Sequence, residues 1–199
     1  AIDRSSCTSL RRLGDGALCF CGALDRVSLP LSLTAIGGRV LAHCANLATV
    51  DFNACVSLRS IGEDAFRNCP KLEVADLSAC ASLRTIGKCV FAFCDSLEHV
   101  VWPSGLEEIG GGVLSRCPKL VAVDLSTCVS LRAIGDDAFF GCDALERSSC
   151  PPGLRQIGAR VLAQCPKLVT VDLSRCASLR SVGEGAFSAC AALDGVLLP

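Results

Sequence analysis

Leucine recurs along this chain at a spacing that neither one helix nor one sheet explains. Leu58-Arg59-Ser60-Ile61-Gly62 returns at 83–87, 106–110, 131–135, 154–158 and 179–183, and in looser form at 10–14 and 33–37. Successive first leucines stand 23, 25, 25, 23, 25, 23 and 25 residues apart. Self-similarity at such a period marks a stacked-repeat architecture, because one unit is too small to bury its own apolar side. The merged repeat reads Leu-x-x-Ile-Gly-x-x-Ala/Val-Phe/Leu-x-x-Cys-x-x-Leu-x-x-Val-x-Leu. In its last part Leu72, Ala75 and Leu77 follow the spacing of a short strand with one face on a core. Ile61 ends a second extended segment, and Gly62 predicts a sharp turn after it. Ala65, Phe66 and Cys69 fall at i, i+1 and i+4, which predicts one helical turn with Phe66 and Cys69 inward. Short repeats close on proline, as in Val27-Ser28-Leu29-Pro30. Long repeats close on Asp-Leu-Ser-x-Cys-x-Ser, as at 76–82, 124–130 and 172–178. Eight layers at a strand spacing of about 4.8 Å make a rod on the order of 40 Å long.

This signature resembles the BspA-like, or Treponema-type, branch of leucine-rich-repeat proteins, over essentially the whole chain. The resemblance implies a right-handed solenoid with a parallel sheet on its concave side. Together with the predicted helical turns, the expected fold class is α/β, a leucine-rich-repeat solenoid of eight 23/25-residue repeats. It is read as a single domain over 1–199, part of a longer or processed chain because Ala1 stands where translation would place Met. Neither end carries a polar capping repeat, so the end layers are expected to meet further repeats or a partner. Members of the family are often cell-surface proteins that bind host or matrix proteins, which implies an adhesion-type role.

The cysteines change the picture less than their number suggests. Sixteen in 199 residues would fit a disulfide scaffold. Yet Cys21, Cys44, Cys69, Cys94, Cys117, Cys142, Cys165 and Cys190 fill one column of the repeat, and Cys7, Cys55, Cys80, Cys128 and Cys176 fill another. Side chains stacked in a column stay about 5 Å apart, whereas a disulfide needs Cβ atoms nearer 3.8 Å. Buried free thiols are therefore expected. Free thiols pull towards a reducing compartment and the family resemblance towards the surface, so the localisation stays open. Cys150 replaces a strand leucine and Ser148 replaces a valine or alanine, so this one repeat should pack less well.

Net charge is −1, but the outward positions are segregated. On the Leu-x-x-Val-x-Leu strands, Asp25, Asp51, Glu73, Asp76, Glu98, Asp124, Glu146, Asp172 and Asp194 face only Arg26 and Arg147. The Leu-x-x-Ile segments carry Arg11, Arg12, Arg59, Arg84, Arg132, Arg155 and Arg180 against Glu107 and Glu108. Such separation orients partners. The first eight acidic residues are the candidate protein-docking face. The row Arg59, Arg84, Arg132, Arg155 and Arg180 is a second candidate, suited with the uncapped ends to a scaffold subunit in a large assembly. With one Trp, eight Phe and no Tyr, the arginine row lacks the aromatics on which bases stack, which argues against nucleic acid.

No catalytic constellation emerges, so the chain is read as a non-enzyme without cofactor or metal. His43 and His99 lack an orienting third group. Gly110-Gly111-Gly112 lacks the lysine of a phosphate loop, and Glu63-Asp64 and Asp136-Asp137 read as solvated turns. No run of about 18 apolar residues suits a membrane helix.

Overall fold

The computed structural model describes residues 7–199; the first six residues of the domain expected over 1–199 lie outside them. In chain order the strands are β1 (Arg12–Leu13), β2 (Arg26–Ser28), β3 (Ala35–Ile36), β4 (Thr49–Asp51), β5 (Ser60–Ile61), β6 (Val74–Asp76), β7 (Thr85–Ile86) and β8 (His99–Val101). There follow β9 (Glu108–Ile109), β10 (Ala122–Asp124), β11 (Ala133–Ile134), β12 (Arg147–Ser149), β13 (Gln156–Ile157), β14 (Thr170–Asp172), β15 (Ser181–Val182) and β16 (Gly195–Leu197). All pairings are parallel. The two-residue strands form one eight-stranded sheet, β1-β3-β5-β7-β9-β11-β13-β15, which bounds seven turns of a coil. Its register is strictly repeat on repeat: Ile36 lies beside Ile61, Ile61 beside Ile86, and Ile86 beside Ile109. The three-residue strands pair as β2-β4, β6-β8 and β10-β12-β14-β16.

The expected α/β class is wrong. The described residues contain no helical turn, and the fold is a parallel β-solenoid. The segment over Ala65 to Cys69 shows why. A helical turn would send its amides back along its own chain. Here Asp64, Phe66 and Asn68 donate instead to Lys88, Val90 and Ala92 of the next repeat, at 2.8, 2.9 and 2.8 Å. Two left-handed residues four positions apart, Asp64 (φ 57°) and Asn68 (φ 55°), bend the chain around the layer. The same pair recurs in each repeat, from Gly16 and Phe20 to Gly185 and Ala189. Two bends point Ala65, Phe66 and Cys69 inward as well as a helix would. They also leave the amides free to join the ladder between layers.

Gly62 likewise serves a purpose other than the one expected. Its φ is not positive; a Cβ there would lie 2.6 Å from the Gly37 carbonyl carbon and the Gly38 nitrogen. Glycine is required because backbone rests on backbone from layer to layer.

One continuous core runs the length of the coil. Phe66 stacks on Phe91 at 5.3 Å and meets Phe52 edge-on at 5.7 Å. The three-residue strands lose pairing at two junctions, β4 to β6 and β8 to β10. These are the junctions that follow Phe52 and Trp102, the two aromatics in a column otherwise filled by Leu29, Leu77, Leu125, Cys150, Leu173 and, in the last layer, Leu198. After each of the first five of these smaller residues the pairing continues. A ring in a layer built for leucine props its neighbour away from hydrogen-bonding distance.

The column cysteines are free thiols and more than spacers. Cys44, Cys69, Cys94, Cys117, Cys142, Cys165 and Cys190 each point Sγ at a carbonyl of the preceding layer, at 3.1–3.4 Å. Those carbonyls, from Leu18 to Leu162, accept no backbone amide in the described ladder. The thiol thus satisfies an acceptor that would otherwise be buried and unpaired. Burial raises most of the buried thiols of both columns: Cys69, Cys80 and Cys117 are pushed up to about 12, Cys55 and Cys128 to about 11, whereas the hydrogen bond with Cys142 lowers Cys165.

Candidate protein-docking surfaces

The acidic residues fall where the strand alternation puts them, on the outward face of β2, β4, β6, β8, β10, β12 and β14 or just before these strands. Asp25, Glu73, Asp76, Glu98, Asp124, Glu146 and Asp172 are exposed, and Asp51 is half-buried. They divide into two kinds. Asp51, Asp76, Asp124 and Asp172 each accept the amide two residues on, from Asn53, Ser78, Ser126 and Ser174, at 2.9–3.0 Å. These are Asx turns, and they start the long-repeat spacer. Asp124 also accepts the Ser149 hydroxyl of the next layer at 2.6 Å, which together with Ser126 lowers its carboxyl below the usual range. Sequence reasoning missed this role, although Asp-x-Ser recurring in the long repeats was its signal. Asp76→Ala should cost about 1 kcal/mol through loss of the turn bond. Urea unfolding of the purified variant measures it.

Glu73, Glu98 and Glu146 are of the second kind. No hydrogen bond or ion pair among the described residues involves their side chains. Exposed valines stand beside them on the same face: Val74, Val101 and Val169 are 46%, 45% and 48% exposed.

The arginine row is also divided. All five arginines are exposed, and two of them also bond to the backbone. The Arg84 guanidinium turns onto the carbonyls of Ala81 (2.9 Å) and Gly105 (3.3 Å), and Arg132 onto those of Val129 (3.0 Å) and Gly153 (3.3 Å). The guanidiniums lie where a Cβ at Gly105 or Gly153 would stand. Two of the five arginines thus clamp the junction from a long to a short repeat.

A third surface was not foreseen. A groove of about 1280 Å3 runs along the eight-stranded sheet from the layer of Ser60 to that of Gln164. Gly87, Gly110 and Gly135 line it, together with Phe93 and Phe140. The Arg67 guanidinium lies 4.7 Å above the Phe93 ring, and the Arg160 guanidinium forms a two-pronged pair with Asp137 at 2.8 and 2.7 Å. Gly110-Gly111-Gly112 and Asp136-Asp137, read from sequence as turns, belong to this lining. The groove depends on which columns lie side by side across layers, and spacing within one repeat does not show that.

His43 stacks on Phe20 at 4.7 Å and meets Asn68 at 2.9 Å, while Cys44 turns inward to Leu18. Among the described residues no group of His, Cys, Asp and Glu could hold a metal ion. No helix among them is long and apolar enough to cross a membrane.

The family described as BspA type leucine rich repeat region matches residues 11–130 and 122–199, in six copies. The chain belongs to this family. Among solved structures it is similar to a leucine-rich repeat protein from Bacteroides ovatus, at 26% identity and a TM-score of 0.76. That match covers 95% of this chain and 53% of the other, so the chain spans about half the length of that relative. It is similar also to the leucine-rich repeat protein of T. pallidum, at 27% identity, with 92% and 72% coverage and a TM-score of 0.64. The pneumococcal vaccine antigen PcpA shares the fold at 21% identity, with 94% and 59% coverage and a TM-score of 0.51. No curated protein matches. BspA-type solenoids are characteristically non-catalytic protein-binding modules.

Proposed function

We propose that this BspA-type solenoid docks a basic protein segment on the outward face of its three-residue strands, in an adhesion-type role. The observation that carries the reading is the row Glu73, Glu98 and Glu146, exposed and unpaired, beside exposed valines. Carboxylates without internal partners give up nothing but water on meeting lysine or arginine, and the valines supply apolar contact between them. Asp25, Asp51, Asp76, Asp124 and Asp172 add to the field of the same face, four of them while holding their own turns. The scaffold alternative rests on the arginine row and the end layers. The guanidiniums of Arg84 and Arg132, though exposed, are held by backbone carbonyls, which leaves Arg59, Arg155 and Arg180 as the uncommitted members of that row.

The test uses the immobilised chain to capture partners from cells and surfaces that it meets, beside the triple variant Glu73→Lys, Glu98→Lys, Glu146→Lys. These positions avoid the Asx turns, so the variant should unfold in urea like the parent. Capture of a basic partner should fall at least tenfold in the variant and weaken with salt. Equal capture by both proteins would overturn the reading.

A further inference from the structure

We propose that Arg132, Arg155 and Arg180 form a docking site for a sulfated polysaccharide, on a face apart from the acidic strands. The three residues occupy consecutive layers and are joined through their own backbones. The Arg155 amide donates to the Arg132 carbonyl at 2.9 Å, and the Arg180 amide to the Arg155 carbonyl at 2.8 Å. Three guanidinium-bearing residues thus follow one another at the layer spacing of about 4.8 Å. All three are exposed, and among the described residues no ion pair reaches any of them. The residues that come next, Ala133, Gln156 and Ser181, lie side by side in β11, β13 and β15 and carry no charge.

The other half of the same file is built differently. Arg59, Arg84 and Glu107 continue it by backbone bonds of 3.0 and 2.8 Å, and the Arg132 amide donates to the Glu107 carbonyl at 2.9 Å. There the Glu107 carboxylate lies 3.5 Å from Nε of Arg84 and answers its charge. Arg155 and Arg180 follow Arg132 in the file with no acid between them. Like charges on neighbouring strands cost stability, and the fold leaves this cost standing in three successive layers. Arg132 is also held in place, since its Nη1 bonds to the carbonyls of Val129 and Gly153 at 3.0 and 3.3 Å. Among the described hydrogen bonds its Nε and Nη2 take no part, nor does the guanidinium of Arg155 or Arg180.

A matching ligand brings an anion to every layer. Carboxylates on one face of an extended peptide stand about 6.8 Å apart, twice the strand rise, and fall out of step after one layer. A nucleic acid needs aromatic faces for its bases, and residues 129–133, 152–156 and 177–181 contain none. A heavily sulfated polysaccharide fits. Each of its sugars is about as long as a layer is thick and carries one or more anions. A sulfate keeps its charge across the physiological range, and two of its oxygens accept a two-pronged pair of bonds from one guanidinium. Gln156 and Ser181, beside the file, supply hydrogen bonds for the sugar hydroxyls.

Heparin is the probe, and its Kd for the chain is measured by titration calorimetry at roughly 0.15 M salt. The parent should bind, and Arg155→Gln with Arg180→Gln should weaken the Kd at least tenfold. Arg26→Gln with Arg147→Gln removes the same charge from the strand face and should change the Kd less than twofold. The variant of the file should unfold in urea at the parent's midpoint or above it, because repulsion is relieved. At equal charge concentration, polyglutamate and single-stranded DNA should displace bound heparin at least tenfold less well than free heparin does. No binding by the parent would overturn the proposal. So would equal weakening in both variants, which means attraction by net charge alone, or displacement by polyglutamate or DNA as readily as by heparin.

Discussion

Gly110→Ala should destabilise the solenoid by about 3 kcal/mol, at the upper end for a single added methyl group. A Cβ at this position would lie 2.5 Å from the Gly87 carbonyl carbon and oxygen and 2.7 Å from the Lys88 nitrogen. All three atoms are backbone, so nothing flexible can move aside. The layers must separate, and the bonds from Gly110 to Ile86 and from Gly135 to Ile109, both 2.8 Å, lengthen with them. Gly22→Ala is the control, because a Cβ there meets nothing within 4 Å and its φ is not positive. That change should be neutral or stabilising by a few tenths of a kcal/mol, through the unfolded chain. Urea unfolding of both variants gives the comparison. If Gly110→Ala proved as benign as Gly22→Ala, the backbone-on-backbone account of the glycine column would be wrong.

Alkali should unfold the chain between about pH 10 and pH 11. The sign follows from the thiols. Cys55, Cys69, Cys80, Cys117 and Cys128 are raised from about 9 to about 11 or 12 by burial. Their contribution to stability is therefore fully present below pH 9 and is lost as pH rises towards the folded values. In that window the unfolded chain releases protons that the folded chain keeps. Each such thiol costs about 1.4 kcal/mol per pH unit, so five together remove roughly 7 kcal/mol per unit. A domain holds only about 5–15 kcal/mol in reserve. The partly exposed thiols ionise first, and the larger part of the thiolate absorbance, that of the buried column cysteines, should appear together with the loss of circular dichroism. Most of the sixteen thiols ionising before the loss of structure would contradict the burial of the columns.

The repeat, its two lengths and its inward columns were legible in the sequence, because burial alone selects leucine, isoleucine and cysteine at those positions. The helical turn was misread for a physical reason. Ala65, Phe66 and Cys69 point inward from a helix and from a pair of left-handed bends alike, and apolar spacing cannot tell the two apart. A signal lay in the flanking columns. Gly16, His43, Asp64, Asn68, Gly112, Asp137, Gly141 and Gly185 are residue types that tolerate positive φ. The acidic strand face was legible as charge, but the Asx turns of Asp51, Asp76, Asp124 and Asp172 were not, since outward position does not reveal a bond to the chain's own amide. Likewise the guanidiniums of Arg84 and Arg132 read as surface charge until Gly105 and Gly153 showed where they pack.

Carboxyl footprinting of the chain, alone and bound to a captured basic partner, tests the docking surface most directly. Both surfaces carry labels: Glu73, Glu98 and Glu146 on the strand face, Glu63 and Glu108 in the groove. The account predicts that the partner shields Glu73, Glu98 and Glu146 from modification and leaves Glu63 and Glu108 as reactive as before. Shielding of Glu63 and Glu108, with the strand face still open, would contradict it.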